Sequence, residues 1–174
     1  FEPQSKSSNY LRLTPGSHRI RVLSEALAGY EWWEDTPTGG RSPKRIPMDG
    51  HPPVEYAEEV KKFLAFIIWN YELEKIQIME ITQSTIQREL KAYEKDKEWG
   101  DLQTYDITIE RTGNDKNTTK YRVTPKPHSD LPKEAEKAIE EGLPVLEALL
   151  KGENPWEYNP QAVNEDVDED EIRD

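Results

Sequence analysis

Arg19 and Arg21 stand two residues apart, and Tyr30, Trp32 and Trp33 follow them closely. Arg41, Lys44 and Arg45 come next, then Tyr56 with Lys61 and Lys62, and later Lys116, Lys120, Tyr121 and Arg122. Cationic side chains track phosphates and flat rings accept stacked bases. This interleaving is therefore the chemistry of a surface that grips an unpaired polynucleotide without reading its sequence. Each residue has an ordinary alternative, since solvated charge is the usual state of a surface and aromatic rings usually fill cores. Phe63, Phe66 and Trp69, inside an apolar run, belong to a core on that argument. Trp32 and Trp33 must point to opposite sides of a strand, so one is expected inside and the other exposed. The candidate contacts are Arg19, Arg21, Tyr30, Trp32, Trp33, Arg41, Lys44, Arg45, Tyr56, Lys120 and Arg122.

Other chemistries have less to work with. The chain has no cysteine, which removes disulfides, thiolate metal sites and a cysteine nucleophile together. His18, His51 and His128 are too scattered to replace them, and no metal or cofactor is expected. Glu98, Asp101, Asp106 and Glu110 are a local supply of carboxylates, the groups a metal-dependent nuclease uses to hold hard cations. Asp106 and Glu110 alternate with Ile107 and Ile109, however, which fits the solvated face of a strand, and the chain is read as non-enzymatic.

The 174 residues include 23 Lys+Arg and 35 Asp+Glu, a formal net charge of -12, with 34% hydrophobic residues. An acidic total argues against a polyanionic partner unless the charge is partitioned, and it is. Residues 165–174 hold seven acids and one base, half of the net charge. Residues 5–24 and 36–48 contain bases and no acid, and 111–128 hold five bases against Asp115 alone. The acidic end is too polar to bury and too like-charged to fold, which predicts one domain over 1–159 and a disordered tail over 160–174. Glu165, Asp166, Asp168, Glu169, Asp170 and Glu171 would let that tail compete for a basic groove or recruit protein partners. A different reading makes the acidic surface a nucleic-acid mimic in a protein-interaction module. The longest apolar run, Phe63 to Trp69, is far short of the roughly 20 residues of a membrane-spanning helix. No secretory leader is visible, and a cytoplasmic location is the expectation.

The elements that must position these residues follow from periodicity. Residues 17–25 alternate, with Ile20 and Val22 on one face and Arg19 and Arg21 on the other, and 30–34 read as a second strand. The stretch 36–53 holds five prolines and three glycines and reads as a long basic loop. Residues 63–70 and 75–82 form a hairpin, and 105–111 with 118–124 another around Gly113-Asn114-Asp115. Ser84-Thr-Ile-Gln87 fits a capping box before the stripe Ile86, Leu90 and Tyr93, predicting a helix to about Lys95. Shorter helices are expected from Asp130 to about Glu141 and from Pro144 to Gly152. The fold class is thus mainly β: a five-stranded antiparallel barrel of the OB type, with one helix between the third and fourth strands and short C-terminal helices, an open antiparallel sheet with a covering helix being the competing architecture.

The run Leu11 to Leu23, then Gly29-Tyr-Glu-Trp-Trp33, Phe66-Ile-Ile-Trp-Asn70, Lys75 to Gln83 and Trp99-Gly-Asp101 with Tyr105 to Ile109, resembles the phage and prophage single-stranded DNA-binding proteins. The likeness spans roughly residues 10 to 125 in order, and the acidic end extends it. It implies an OB fold that coats single strands during replication and recombination, with a tail contacting other replication proteins. The zinc-binding insertion found in some of that group is ruled out here by the lack of cysteine.

Overall fold

The computed structural model describes residues 8–160. Seven strands and two α-helices follow in order: β1 Gly16–Val22, β2 Leu27–Asp35, β3 Arg41–Pro47, β4 Lys61–Asn70, β5 Lys75–Ile81, α1 Ser84–Lys95, β6 Tyr105–Thr112, β7 Lys120–His128 and α2 Lys133–Glu141. Short 3-10 turns lie at Val54–Tyr56, Leu102–Thr104 and Leu146–Lys151. The mainly β class and the expected helix positions agree with the periodicity. The five-stranded count does not: the strands form one antiparallel sheet in the order β3-β2-β4-β1-β6-β7, with β5 on the other edge of β4. The sheet is not closed, for no pairing joins β5 to β7 among the described residues.

β4 explains how the sheet is assembled. Its first half pairs with β2, Leu27 opposite Ala65 and Glu31 opposite Lys61. Its second half pairs with β1, Ile20 opposite Asn70 and Val22 opposite Ile68. β5 covers its other edge. Both faces of β4 are buried, which is why its sequence is a continuous apolar run instead of an alternating one. On the helix face, Phe66 and Ile68 join Ile20, Val22, Met79, Ile81, Ile107, Ile109 and Val123 beneath Ile86 and Leu90 of α1. On the outer face, Phe63 and Ala65 join Ile78 and Leu149, with Leu146, Leu150 and Trp156 packed around them. The C-terminal segment thus lies across the middle of the outer face.

Two local expectations fail for identifiable reasons. The 36–53 stretch contains β3, paired with β2 from Gly29 opposite Pro47 to Asp35 opposite Arg41. A strand at the sheet edge tolerates prolines, because a missing N–H on the open side breaks no ladder bond. Gly29 permits this close pairing, since a Cβ there would run into the Ile46 carbonyl oxygen of β3 and, on the β4 side, sit 2.8 Å from Phe63 Cε1. The capping box does not form either. Gln83 is the N-cap and makes no side-chain cap bond, while the Gln87 amide donates to the carbonyls of Lys62 at 2.9 Å and Ile81 at 2.8 Å. That amide ties α1 to the sheet instead.

Candidate nucleic-acid interface

The two arginines of β1 share the outer face but meet one carboxylate. Arg21 Nε donates to Asp106 Oδ1 at 2.7 Å, and its Nη2 donates to Ser129 O and Oγ at 2.9 and 2.8 Å. Arg21 is fully buried, so it has no donor to offer a phosphate; the expectation that it does is corrected by this buried partner. Arg19 donates through Nε and Nη2 to Asp106 Oδ2 at 3.1 and 2.7 Å and remains half exposed. Its guanidinium lies 4.8 Å from the centre of the Tyr71 ring. Tyr71 Oη donates to Asp106 Oδ1 at 2.6 Å, and burial, then the neighbouring carboxylate, pushes the phenol up to about 12. Lys120 and Arg122 are exposed on β7, with Arg122 in register with Glu110. They sit at the same end of the outer face as Arg19.

At the other end of that face the cations are also engaged. Arg45 is held between Glu31 on β2 and Glu80 on β5, with Nε to Glu31 Oε2 at 3.2 Å and Nη2 to Glu80 Oε2 at 2.8 Å. Burial and the adjacent Glu80 push Glu31 up to about 8, Arg45 opposing them. Arg41 pairs with Glu59 at 3.0 Å and Asp35 at 3.6 Å in exposed contacts, and its Nη2 donates to Trp33 O. Trp33 is 44% exposed and Trp32 is buried, as alternation along β2 requires. Trp32 Nε1 donates to Glu34 Oε2 at 2.7 Å, so this ring is a wall of the fold and not an open stacking platform. Tyr56 is raised above its ordinary value by desolvation and by Glu34, Glu55, Asp35 and Glu59 around it, a setting that repels phosphate.

The helix face carries a different set. Across β3-β2-β4, Tyr30 lies between Ile46 and Lys62, and Lys44 lies opposite Trp32. Cross-strand partners share a face, so Lys44, the half-buried Tyr30 and the exposed Lys62 form a strip whose Lys62 end reaches α1, while at its other end Lys44 and Trp32 line an opening with Leu149, Leu150 and Lys151 of the C-terminal segment. Lys62 continues this strip into a groove of about 430 Å³ between β4 and α1. Leu64, Phe66, Leu90 and Leu102 line its apolar part, and Lys62, Arg88 and Lys91 its basic part, with Glu94 as its one acid. Arg88 and Lys91 were not singled out from the sequence; their spacing of three on α1, beside the Leu90 stripe, is the signal that carries them.

The expected contacts therefore fall on both faces of the sheet. Tyr30 and Lys44 share one face of the β2–β3 pair with the buried Trp32, and Lys44 and Trp32 lie where the C-terminal segment meets β3. Arg19, Lys120 and Arg122 lie at one end of the outer face, and Trp33, Arg41 and Arg45 at the other, separated by the C-terminal segment. The acidic positions Glu165 to Glu171 lie outside the described residues. Of the nuclease carboxylates, Asp106 is occupied by Arg19, Arg21 and Tyr71. Among the described residues no group of three or more His, Asp or Glu is placed to hold a metal ion, and no helix is long and apolar enough to cross a membrane. Comparison with family models, curated proteins and solved structures finds no match to the chain.

Proposed function

We propose that the chain binds single-stranded DNA without reading its sequence, as a non-enzymatic coat during replication or recombination, and that the strand lies along the helix face. The observation that carries this reading is the placement of Tyr30 beside Lys62, with Lys44 one step along the strip and Arg88 and Lys91 one step beyond. A ring between cations supplies both terms such binding needs, stacking and phosphate contact. Four cations meet two acids there, Glu34 and Glu94, and Glu34 is held by the Trp32 indole. The path of the chain also supports the reading. If the bent β1–β2 segment counts as one strand, it pairs with β4 and β6, and α1 stands between the β4–β5 and β6–β7 hairpins. That order is compatible with an OB-like architecture, with β3 as an added edge.

In this reading Arg19, Lys120 and Arg122 are a secondary basic patch, and the acidic residues 165–174 compete with DNA for the strip or recruit replication proteins. The test is binding of oligo-dT by the double variant Tyr30→Ala/Lys62→Ala, with Trp33→Ala as the control on the opposite face. Loss of binding in the double variant alone supports the strip. Equal losses in both, or none in either, overturn it.

A further inference from the structure

The groove between β4 and α1 is an apolar opening beside the strip, and its lining says more than phosphate contact. We propose that it receives one base of the bound strand, unstacked from its neighbours, while the flanking phosphates meet Lys62 from the sheet and Arg88 and Lys91 from the helix. The proposal rests on the single-strand reading above. It commits to a nucleobase occupant because an apolar floor is ringed by cations on opposite walls. An uncharged planar group between two phosphates has that pattern of polarity.

The dimensions agree. A groove of about 430 Å³ lies within the usual range of small-molecule sites, roughly 300–1,000 Å³. Phe66 and Leu90 belong to the main core and Leu64, half-buried, packs against it at the groove, so the floor is preformed. The width is fixed by Gln87, whose two amide hydrogens go to the backbone of Lys62 and Ile81. Only its carbonyl oxygen is left, an acceptor for a base amino or imino hydrogen. Ser84, at the lip, adds a hydroxyl. Glu94 marks the end of the groove away from Lys62, a position that disfavours phosphate and so gives the strand a direction. Since Lys62 is the cross-strand neighbour of Tyr30, a base stacked on Tyr30 and a base in the groove would belong to one continuous strand.

The test uses the full chain and an oligonucleotide carrying iododeoxyuridine at every position, irradiated in the complex and mapped by peptide mass spectrometry. Cross-links in the β4 segment that holds Leu64 and Phe66, as well as at Tyr30, are expected. Ser84→Trp, an exposed substitution that fills the lip, should abolish the β4 cross-link and weaken binding about tenfold, the effect of losing one base contact of about 1.4 kcal/mol. Cross-linking at Tyr30 alone, with affinity untouched by Ser84→Trp, overturns the base pocket while leaving the single-strand reading in place. It would assign the groove to another occupant, such as the chain's own acidic end. No complex with any oligonucleotide removes the reading on which the proposal stands.

Discussion

Arg21 and Asp106 form an ion pair at 2.7 Å in which both side chains are only 2% exposed. The two residues are cross-strand partners on β1 and β6, so the pair joins the first strand to the second hairpin. Removing one member of such a pair leaves a buried charge uncompensated, which costs about 3–5 kcal/mol. Asp106→Asn should therefore lower the urea midpoint sharply. Arg19 and Tyr71 would lose the same anchor, so the Tyr71 phenol should titrate at lower pH in any variant that stays folded. An unchanged urea midpoint would show that the pair is not structural.

Glu31 gives a pH dependence of definite sign. Its carboxyl titrates near pH 8 in the folded chain against about 4.5 when free, because burial and Glu80 disfavour its charge. Between those values the unfolded chain has released the proton and the folded chain keeps it. Stability from this group is thus fully present below about pH 4.5 and is lost as pH rises to about 8. Denaturation midpoints measured from pH 5 to 9 should fall with pH, and Glu31→Gln should flatten the slope. A slope identical in the variant would place the proton elsewhere.

Binding should depend on face. Tyr30→Ala should cost about 1–3 kcal/mol of affinity for oligo-dT, the range for one stacked base, and Lys44→Ala and Lys62→Ala should each reduce the salt dependence. Arg45→Ala and Trp33→Ala, changed on the outer face, should leave affinity for oligo-dT within about twofold at matched folding, where RT ln 2 is about 0.4 kcal/mol. Isothermal titration calorimetry of the five variants checks this, and equal effects on both faces would contradict it.

The acidic end supplies another prediction. A chain stopped at Pro160 loses the six net negative charges of 165–174 and should bind oligo-dT more tightly at low salt, the two forms converging as salt screens the competition. Identical affinities at low salt would dismiss tail competition.

Much of the fold is legible in the residues. Ile20 and Val22 against Arg19 and Arg21, and Ile107 and Ile109 against Asp106 and Glu110, give the two-sided strands. Ile86 and Leu90 give the buried side of α1. β3 is not legible, because Pro43 and Pro47 read as breakers until the strand is known to lie at an edge. The site is less legible for a similar reason. Arg21 looks like a phosphate contact until Asp106, 85 residues away, is brought beside it, and Arg45 likewise until Glu31 and Glu80 close on it. Local pattern places a side chain on a face. It does not reveal what the rest of the chain has already set opposite.

The central claim is that the helix-face strip of Tyr30, Lys44, Lys62, Arg88 and Lys91 holds an unpaired strand by its phosphates and bases. The most direct measurement is the fluorescence anisotropy of end-labelled oligo-dT over a range of salt, with duplex DNA of equal length as competitor. The account predicts preference for the single strand and a slope of log affinity against log salt near -3, from about four phosphate contacts at about 0.7 each. Affinity independent of salt, or duplex bound as tightly as oligo-dT, would contradict it.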